Sequence, residues 1–580
     1  MWKLTVFLAF TAMGGARAQA PVASPPGARV SAASSGQCRR EIDGFGTTAP
    51  ARGGGESWLL DLYYGDLGAS LLRVDLTPRF RAPVSDYAYN SPWYHGAPGL
   101  PGPEGNNVRT YKGIADYTRS FGGRKAQVVV FGPELAQQLG KFDYTSPDLR
   151  GVGALAQRGT RIGAARGEFK LVGSVWSPAP WLKTSSGAQI EGTGGIMPAS
   201  GTAFPFVWAG NFAGGVLDTS NKKLPQLADR AGPTSALTQF ARITAAYVLG
   251  FQRTFGVKFY ALSLQNELNF ETFYNSCSYP DAKGYAAALL LLRKELDKHG
   301  ELRDIKLIGP EDLLGADAYA LWQFGDPRTP VHKNLQYLAL LAKDKALSAL
   351  SFVAVHAYAN DGVHAAGDDE QMWRWFNDGW QKAPAPGLPE RVDGVRAYGM
   401  KSWMTELSGE HNVWVPAPGG NLSDSALGLA LKAHRGLTVG EQSAWLYWQI
   451  VDGDQVRGET LTDSALRAKS PKYVAFKHFA RYIRPGSCAQ PVTVENASNV
   501  VASAYRHPSY GTTVVLINSG SAQQLTLDAA LVGHDSGPVA IYTSTALAFW
   551  QRAIANADAN GELRVNMPAQ SMVTVQIGKR

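Results

Sequence analysis

The feature that most constrains the fold is an alternation of short β-rich runs and helical stretches between residues 43 and 479. Eight such runs alternate with helical stretches, which predicts an α/β fold, a (β/α)8 TIM barrel with its chemistry at the carboxyl ends of the strands. The predicted strands are Asp43–Thr47, Ala69–Leu76, Phe169–Val175, Phe259–Gln265, Ile305–Gly309, Phe352–Ala357, Lys401–Glu406 and Ala444–Ile450. Helical periodicity is clearest in Ser235–Phe255, Ala282–His299, Lys333–Leu347 and Asp424–Leu437.

After residue 484 the pattern changes to short alternating runs separated by Gly, Asn and Pro. These runs predict an associated antiparallel β-sandwich domain over residues 484–580. Two long irregular stretches, residues 78–148 and 198–232, interrupt the barrel pattern and are rich in aromatic residues, Gly and Pro. Because long loops of this kind are usually functional, we expect both to lie over the mouth of the barrel.

The N-terminus has the pattern of a secretory signal peptide over residues 1–18. Lys3 precedes an apolar run, and small residues at 16 and 18 offer a cleavage site. We expect a flexible leader over residues 19–37, no membrane span, and secretion to the exterior or the periplasm. An uncleaved anchor is the alternative. Secretion permits disulfides, and a bond between Cys38 and Cys488 would join the two ends of the barrel, leaving Cys277 unpaired.

Composition limits the classes of partner. The formal charge of +8 fits an acidic polysaccharide or a cell envelope, and fits a solvated basic surface equally well. No run of Lys and Arg and no nucleic-acid-binding motif is present, so we expect no nucleic-acid partner. The 15 Trp, 23 Tyr and 23 Phe suit a carbohydrate groove, although core packing accounts for most of them.

Two predicted strands end in a carboxylate, SLQNE at 263–267 and SWMTE at 402–406. They are the fourth and seventh strands, which face each other across a barrel mouth. One protonated and one ionised carboxylate are what glycoside cleavage needs. We therefore interpret Glu267 as the acid/base and Glu406 as the nucleophile of a glycoside hydrolase. Strand capping or pairing with arginine is the structural alternative for each.

The same motifs resemble glycoside hydrolase family 30, a retaining β-glycosidase family with a barrel and a side β-sandwich. The resemblance covers nearly the whole mature length, and its motifs are IDGFG at 42–46, SVWSPAPWLKT at 174–184, SLQNELNF at 263–270, WMTELSGE at 403–410 and YVAFKHFARYIRPG at 473–486. It implies that residues 38–42 join residues 484–580 in the sandwich, which would bring Cys38 near Cys488.

The resemblance also implies roles for individual residues. Arg73 would steady the nucleophile, and His356 and Tyr358 would lie beneath the sugar. Asn266, beside the acid/base, would donate to a sugar hydroxyl. The implied sugar-binding aromatic residues are Trp176, Trp181 and Trp448. A structural ion pair for Arg73 and core packing for His356 and the Trp residues are the alternatives.

Leu268 and Leu407 depart from the family pattern beside the catalytic positions, which leaves the substrate open. Glu410, Glu311 and Asp312 rank as residues of sugar subsites at best. We predict a secreted, monomeric enzyme without cofactor or metal, acting on β-linked polysaccharide or oligosaccharide as an endo-xylanase, glucanase or galactanase. Alternatives are an exo-acting glucosidase, xylosidase or glucuronidase of the same family, a transglycosylase, or a non-catalytic carbohydrate-binding protein.

Overall fold

The computed structural model describes most of the chain outside the N-terminus and the longest loops. The described residues are 27–33, 38–50, 54–81, 129–166, 168–184, 215–220, 234–268, 277–279, 281–313, 333–357, 380–381, 393–453, 456–533 and 537–578. The predicted signal peptide therefore lies outside them, as do most of the two long loops. Among the described residues, no helix combines the length and the apolar character needed to cross a bilayer.

Eight parallel strands close into a barrel, so the predicted fold class is confirmed. They follow one another in chain order around the barrel, and β8 pairs with β1. The strands are β1 Gly44–Thr48, β2 Leu71–Asp75, β3 Lys170–Ser174, β4 Phe259–Ser263, β5 Lys306–Leu313, β6 Phe352–His356, β7 Ser402–Glu406 and β8 Ala444–Tyr447. Each overlaps its predicted strand.

The main helices alternate with these strands. They are α1 Pro147–Arg166, α2 Ala236–Phe255, α3 Ala282–Asp297, α4 Lys333–Lys343, α5 Ala426–Thr438 and α6 Pro471–Ala480. Side-chain caps fix where three of them begin, because Ser235, Asp281 and Ser425 each accept a hydrogen bond from a backbone N–H of the first turn. Shorter helical segments lie at Ser57–Leu60, Asp61–Asp66, Leu135–Lys141, Pro180–Leu182, Leu347–Ala349, Val395–Tyr398, Leu422–Asp424, Arg467–Lys469 and Ala529–Val532.

The barrel interior is filled at its lower end, away from the strand carboxyl ends. Trp403 is fully buried there, and its ring lies parallel to that of Tyr260, with 5.9 Å between the ring centroids. The indole N–H of Trp403 donates to Asp43, at 2.8 Å from Oδ2. Gly46 is required in β1, because a Cβ there would lie 2.0 Å from the backbone carbonyl of Leu71 in β2. This packing leaves the opposite end of the barrel for polar side chains.

The second domain is a sandwich of two sheets, and it uses both ends of the chain. The seven-stranded sheet contains, in order, Gln551–Ala555, Val539–Ser544, Ser571–Ile577, Gly511–Asn518, Val500–His507, Cys488–Gln490 and Arg40–Glu41. The four-stranded sheet contains Val492–Glu495, Ala28–Ala32, Gln523–Leu527 and Leu563–Met567. A separate two-stranded pair joins Lys183–Thr184 to Val216–Leu217.

Part of the predicted flexible leader is ordered, which corrects that prediction. Ala28–Ala32 is an interior strand, antiparallel to Val492–Glu495 and parallel to Gln523–Leu527. Its central side chain, Val30, is fully buried among apolar residues of the sandwich. The Ala- and Ser-rich composition suggested a loose segment, whereas pairing on both edges supplies the hydrogen bonds that composition alone does not indicate.

Cys38 and Cys488 form a disulfide with 5.3 Å between their Cα atoms, and Cys277 is a buried free thiol. The bond fastens the short strand Arg40–Glu41 to Cys488–Ala489, immediately before the barrel begins. It closes a chain segment of 450 residues.

We expect the double variant Cys38→Ser/Cys488→Ser to lower the free energy of unfolding by about 2–4 kcal/mol, because the unfolded chain regains freedom that the cross-link removes. Denaturation of both proteins with and without reductant checks this. Reductant should lower the midpoint of the wild type and leave that of the variant unchanged. Equal midpoints for the two proteins without reductant would show that the strand pairing alone holds this junction.

Candidate active site

A buried arginine organises the polar end of the barrel. Arg73 lies in β2 with a side chain that is 0% exposed. Its Nη1 donates to Oε2 of Glu406 at 2.7 Å, and its Nε donates to Oε1 of Glu311 at 2.8 Å. Its Nη2 donates to Oδ1 of Asn266 and lies 3.3 Å from Oγ of Ser174. A single guanidinium thus fixes side chains from four other parts of the barrel rim.

Glu406 is the last residue of β7, and a β-bulge places His356 beside it. The register of β6 against β7 shifts between Val355 and His356, so that His356 pairs with Glu406. Bulges of this kind redirect a side chain at the end of a strand. The Nε2 atom of His356 lies 3.8 Å from Oε2 of Glu406. The regular alternation of β6 therefore does not by itself predict this contact.

Glu267 lies in a turn that follows β4, with a left-handed backbone conformation at a φ of 51°. Its backbone N–H donates to the carbonyl of Glu311 at 2.8 Å, and its Oε1 lies 2.8 Å from Nδ1 of His356. Burial, and to a lesser degree the charges of Glu406 and Asp312, raise the pKa of Glu267, although the hydrogen bond with His356 opposes the shift. The position therefore favours a carboxyl group that holds a proton.

His356 is fully buried between three carboxylates. Burial alone would lower its pKa, but the charge of Glu406, the hydrogen bond with Glu267 and the nearby carboxylate of Glu311 outweigh burial and raise the pKa to about 9. The imidazole is therefore a cation at neutral pH, with both ring nitrogens as donors. Together with Arg73 it gives the site two positive charges.

One atom each of Glu267, His356 and Glu406 lies within 4.8 Å of the others, a spacing that a metal ion could also use. Arg73 already supplies positive charge 2.7 Å from Glu406, and a protonated His356 is a poor ligand. The chemistry of these donors thus fits a charge network better than a metal centre. The absence of a metal requirement stays a prediction.

The three tryptophans implied by the resemblance have different surroundings. The ring of Trp176 lies under the guanidinium of Arg73, 4.5 Å from its Cζ atom, and its centroid is 5.6 Å from that of Trp448. Trp448 is partly exposed. Trp181 is 3% exposed and packs on Phe80, with ring centroids 5.0 Å apart, which favours the alternative that it belongs to the core. Tyr358 lies outside the described residues.

The carboxylates ranked as subsite residues are instead buried beneath the rim. Glu311, in β5, is fully buried and bonded to Arg73. Asp312 accepts a hydrogen bond from Tyr337 at 2.7 Å. Glu410 is fully buried, with Oε1 2.9 Å from Nζ of Lys432. Their place just past strand ends suggested exposure, but each has a buried donor, so the subsite assignment is wrong for the described conformation.

No protein-family model and no curated protein matches the chain. Solved structures match over 95–96% of its length at low identity. They include the catalytic domain of the glycoside hydrolase family 30 xylanase C of Talaromyces cellulolyticus, with 16% identity, a TM-score of 0.59 and 100% of that chain covered. They also include the family 30 subfamily 8 xylanase Xyn30A of Clostridium acetobutylicum, with 19% identity, a TM-score of 0.56 and 99% covered. An endo-β-1,6-glucanase matches with 14% identity, a TM-score of 0.54 and 94% covered.

At these identities the likeness establishes the fold. The chain has a closed (β/α)8 barrel with an associated β-sandwich, as the glycoside hydrolase family 30 structures do. The resemblance read from the sequence motifs is thereby confirmed at the level of the fold.

Proposed function

We propose that the protein is a retaining glycoside hydrolase acting on β-linked sugars, with Glu267 as acid/base and Glu406 as nucleophile. The observation that carries this proposal is the spacing of the pair: one oxygen of each carboxylate lies within 4.8 Å of the other at the rim of the barrel. This close approach of two oxygens fits retaining enzymes, whose carboxyl groups lie about 5–5.5 Å apart, better than inverting enzymes, whose carboxyl groups lie about 6.5–9.5 Å apart to admit a water.

In the first step, Glu406 attacks the anomeric carbon while Glu267 gives its proton to the departing glycosidic oxygen. The bond from carbon to that oxygen breaks as the bond from carbon to Glu406 forms. Arg73 holds Glu406 in place through its Nη1 donor at 2.7 Å. Burial raises the pKa of Glu267, which favours the protonated form that this step requires.

In the second step, water attacks the anomeric carbon of the glycosyl ester while Glu267 takes its proton, and the bond from that carbon to Glu406 breaks and releases Glu406 as a carboxylate. Esterified Glu406 carries no charge, so it no longer opposes ionisation of Glu267. In the intermediate, the negative charge lies on Glu267, whereas before the first step it lies on Glu406. The net charge of the two carboxyl groups is therefore the same in both states. The two cations Arg73 and His356 therefore face the same total charge throughout the cycle.

We propose that Asn266 contacts the substrate through its side-chain amide. Because its Oδ1 accepts from Arg73, the amide is held with its NH2 group as the donor. A hydrogen bond from this group to the hydroxyl next to the anomeric carbon would strengthen in the transition state.

For the substrate, we propose a β-linked polysaccharide cut internally, such as a xylan or a β-1,6-glucan. The chemistry named for the structural neighbours supports this choice. Exo-action on a glucoside, xyloside or glucuronide is the alternative. Secretion is proposed with it, since the disulfide suits an oxidising compartment.

A product profile tests this proposal. The purified protein is incubated with xylans, β-1,6-glucan, β-1,6-galactan and aryl glycosides, and the products are separated by size. A ladder of oligosaccharides indicates endo-action, and monosaccharide alone indicates exo-action. The first product should have the β-anomeric configuration by proton NMR. Binding without any product would favour the non-catalytic alternative.

Trp448 should act as a sugar platform. We expect Trp448→Ala to lower kcat/KM about tenfold or more, because a lost aromatic contact of about 1.4 kcal/mol changes an equilibrium tenfold. Steady-state kinetics on the best substrate of the panel checks this. The control is Trp550→Ala in the sandwich, which should keep kcat/KM within about twofold. An equal loss in both variants would assign the effect to general destabilisation.

A further inference from the structure

Glu311 stands apart from the other buried carboxylates because it bonds Glu267 directly and is linked to Glu406 through Arg73. Its side chain accepts from Arg73 Nε at 2.8 Å, and Arg73 in turn holds Glu406. Its backbone carbonyl accepts from the N–H of Glu267 at 2.8 Å. Its Oε1 also lies 3.9 Å from Nε2 of His356, whose other ring nitrogen bonds Glu267.

The backbone supports a role beyond packing. Glu311 has a φ of 53°, in the left-handed region that residues with a side chain rarely adopt, and so has Glu267 with 51°. These two residues are joined by a backbone hydrogen bond. Strained backbone persists where the surroundings over-determine it, and it concentrates at active sites.

The negative charge of Glu311 also acts on the two cations of the site. Arg73 and His356 carry two positive charges, while the catalytic pair carries one negative charge in the proposed resting state and in the proposed intermediate. Glu311 adds a negative charge in direct contact with Arg73. Burial would raise its pKa, but Arg73, His356 and Ser174 outweigh burial and lower the pKa to about 2. The side chain of Glu311 is therefore ionised at every pH well above 2.

We propose that Glu311 is a positioning residue, which fixes Arg73 and His356 in the arrangement that the two catalytic carboxylates need. This inference rests on the function proposed above. Glu311 touches no reacting atom; it acts through Arg73 on Glu406 and through His356 on Glu267.

The proposal predicts a shift in pH dependence. Glu267 and His356 share a hydrogen bond, so the loss of a proton belongs to the pair. The charged groups that act on this pair are Arg73 from β2, Glu311 and Asp312 from β5, and Glu406 from β7. Tyr285 from α3 lies near Glu311 and Asp312. Removing the charge of Glu311 favours loss of that proton, whichever side chain loses it.

We expect Glu311→Gln to lower kcat about 10- to 100-fold, with KM changed less than about threefold. The alkaline limb of its kcat/KM profile should move about one pH unit lower. Glu311→Asp keeps the charge and should restore the limb toward that of the wild type. Ser174→Ala removes neutral hydrogen bonds to Glu311 and Arg73 while every charge of the network stays, so it should leave the limb in place.

A second readout does not depend on hydrolysis. The imidazole of His356, followed by NMR in histidine-labelled protein, should titrate at a lower pH in Glu311→Gln than in the wild type. Thermal unfolding confirms that each variant is folded. If the wild type hydrolyses no substrate, the proposed function fails while this titration still tests Glu311. An unshifted titration or an unshifted alkaline limb in Glu311→Gln overturns the inference.

Discussion

Glu406→Gln should reduce kcat at least a thousandfold on every substrate that the wild type hydrolyses. A carboxamide is a poor nucleophile, so no glycosyl ester can form, whereas the shape of the side chain is retained. Its oxygen can still accept from Arg73, and we expect the fold to be intact. The loss should be as large for an aryl glycoside with a good leaving group as for a polysaccharide, because attack is needed in both cases.

Kinetics on both substrate types, with thermal unfolding for stability, measure this effect. Glu441→Gln is a suitable control, since Glu441 is paired with Arg39 and Arg396 away from the site. It should keep kcat within about twofold. Activity near that of the wild type in Glu406→Gln would remove this residue from the mechanism.

Glu267→Gln should show an effect that depends on the leaving group. With a polysaccharide the departing oxygen needs a proton, and we expect a loss of about 10²–10⁴ in kcat/KM. An acidic phenol departs without a proton, so an aryl glycoside should still react quickly in the first step. The second step then lacks its base, and a glycosyl ester on Glu406 should accumulate.

A burst of phenol followed by slow turnover would identify this accumulation, and mass spectrometry would locate the ester on Glu406. Azide, which attacks without a base, should restore turnover and give a β-glycosyl azide. An equal loss on both substrate types, without a burst, would mean that Glu267 is not the proton donor.

The sequence was sufficient to predict the barrel, the sandwich and the place of the two glutamates, because periodicity and strand-end motifs are local signals. Contacts between strands are not local. The sequence motif predicts that Arg73 is a partner of Glu406. It does not predict the second partner, Glu311, because that contact depends on how β2 and β5 face each other across the barrel interior. An inward-facing arginine signals that buried anions are needed, without indicating which ones.

His356 shows a second limit. Its contact with Glu267 arises where the register of β6 shifts against both neighbouring strands, and no residue type in that run marks the shift. Ala28–Ala32 shows a third, since its strand is defined by partners about 460 to 500 residues later in the chain. Leu268 and Leu407 are both buried and nearly inaccessible, so the departures from the family pattern at these two positions change packing in the core.

The position of Ala28–Ala32 has a consequence for how the chain matures. This strand is synthesised first, yet both of its neighbours come after the whole barrel has been made. The four-stranded sheet therefore cannot close around this strand until both of these segments have been made. The same constraint applies to the Cys38–Cys488 bond, which joins positions 450 residues apart and cannot form before the whole barrel sequence has been made.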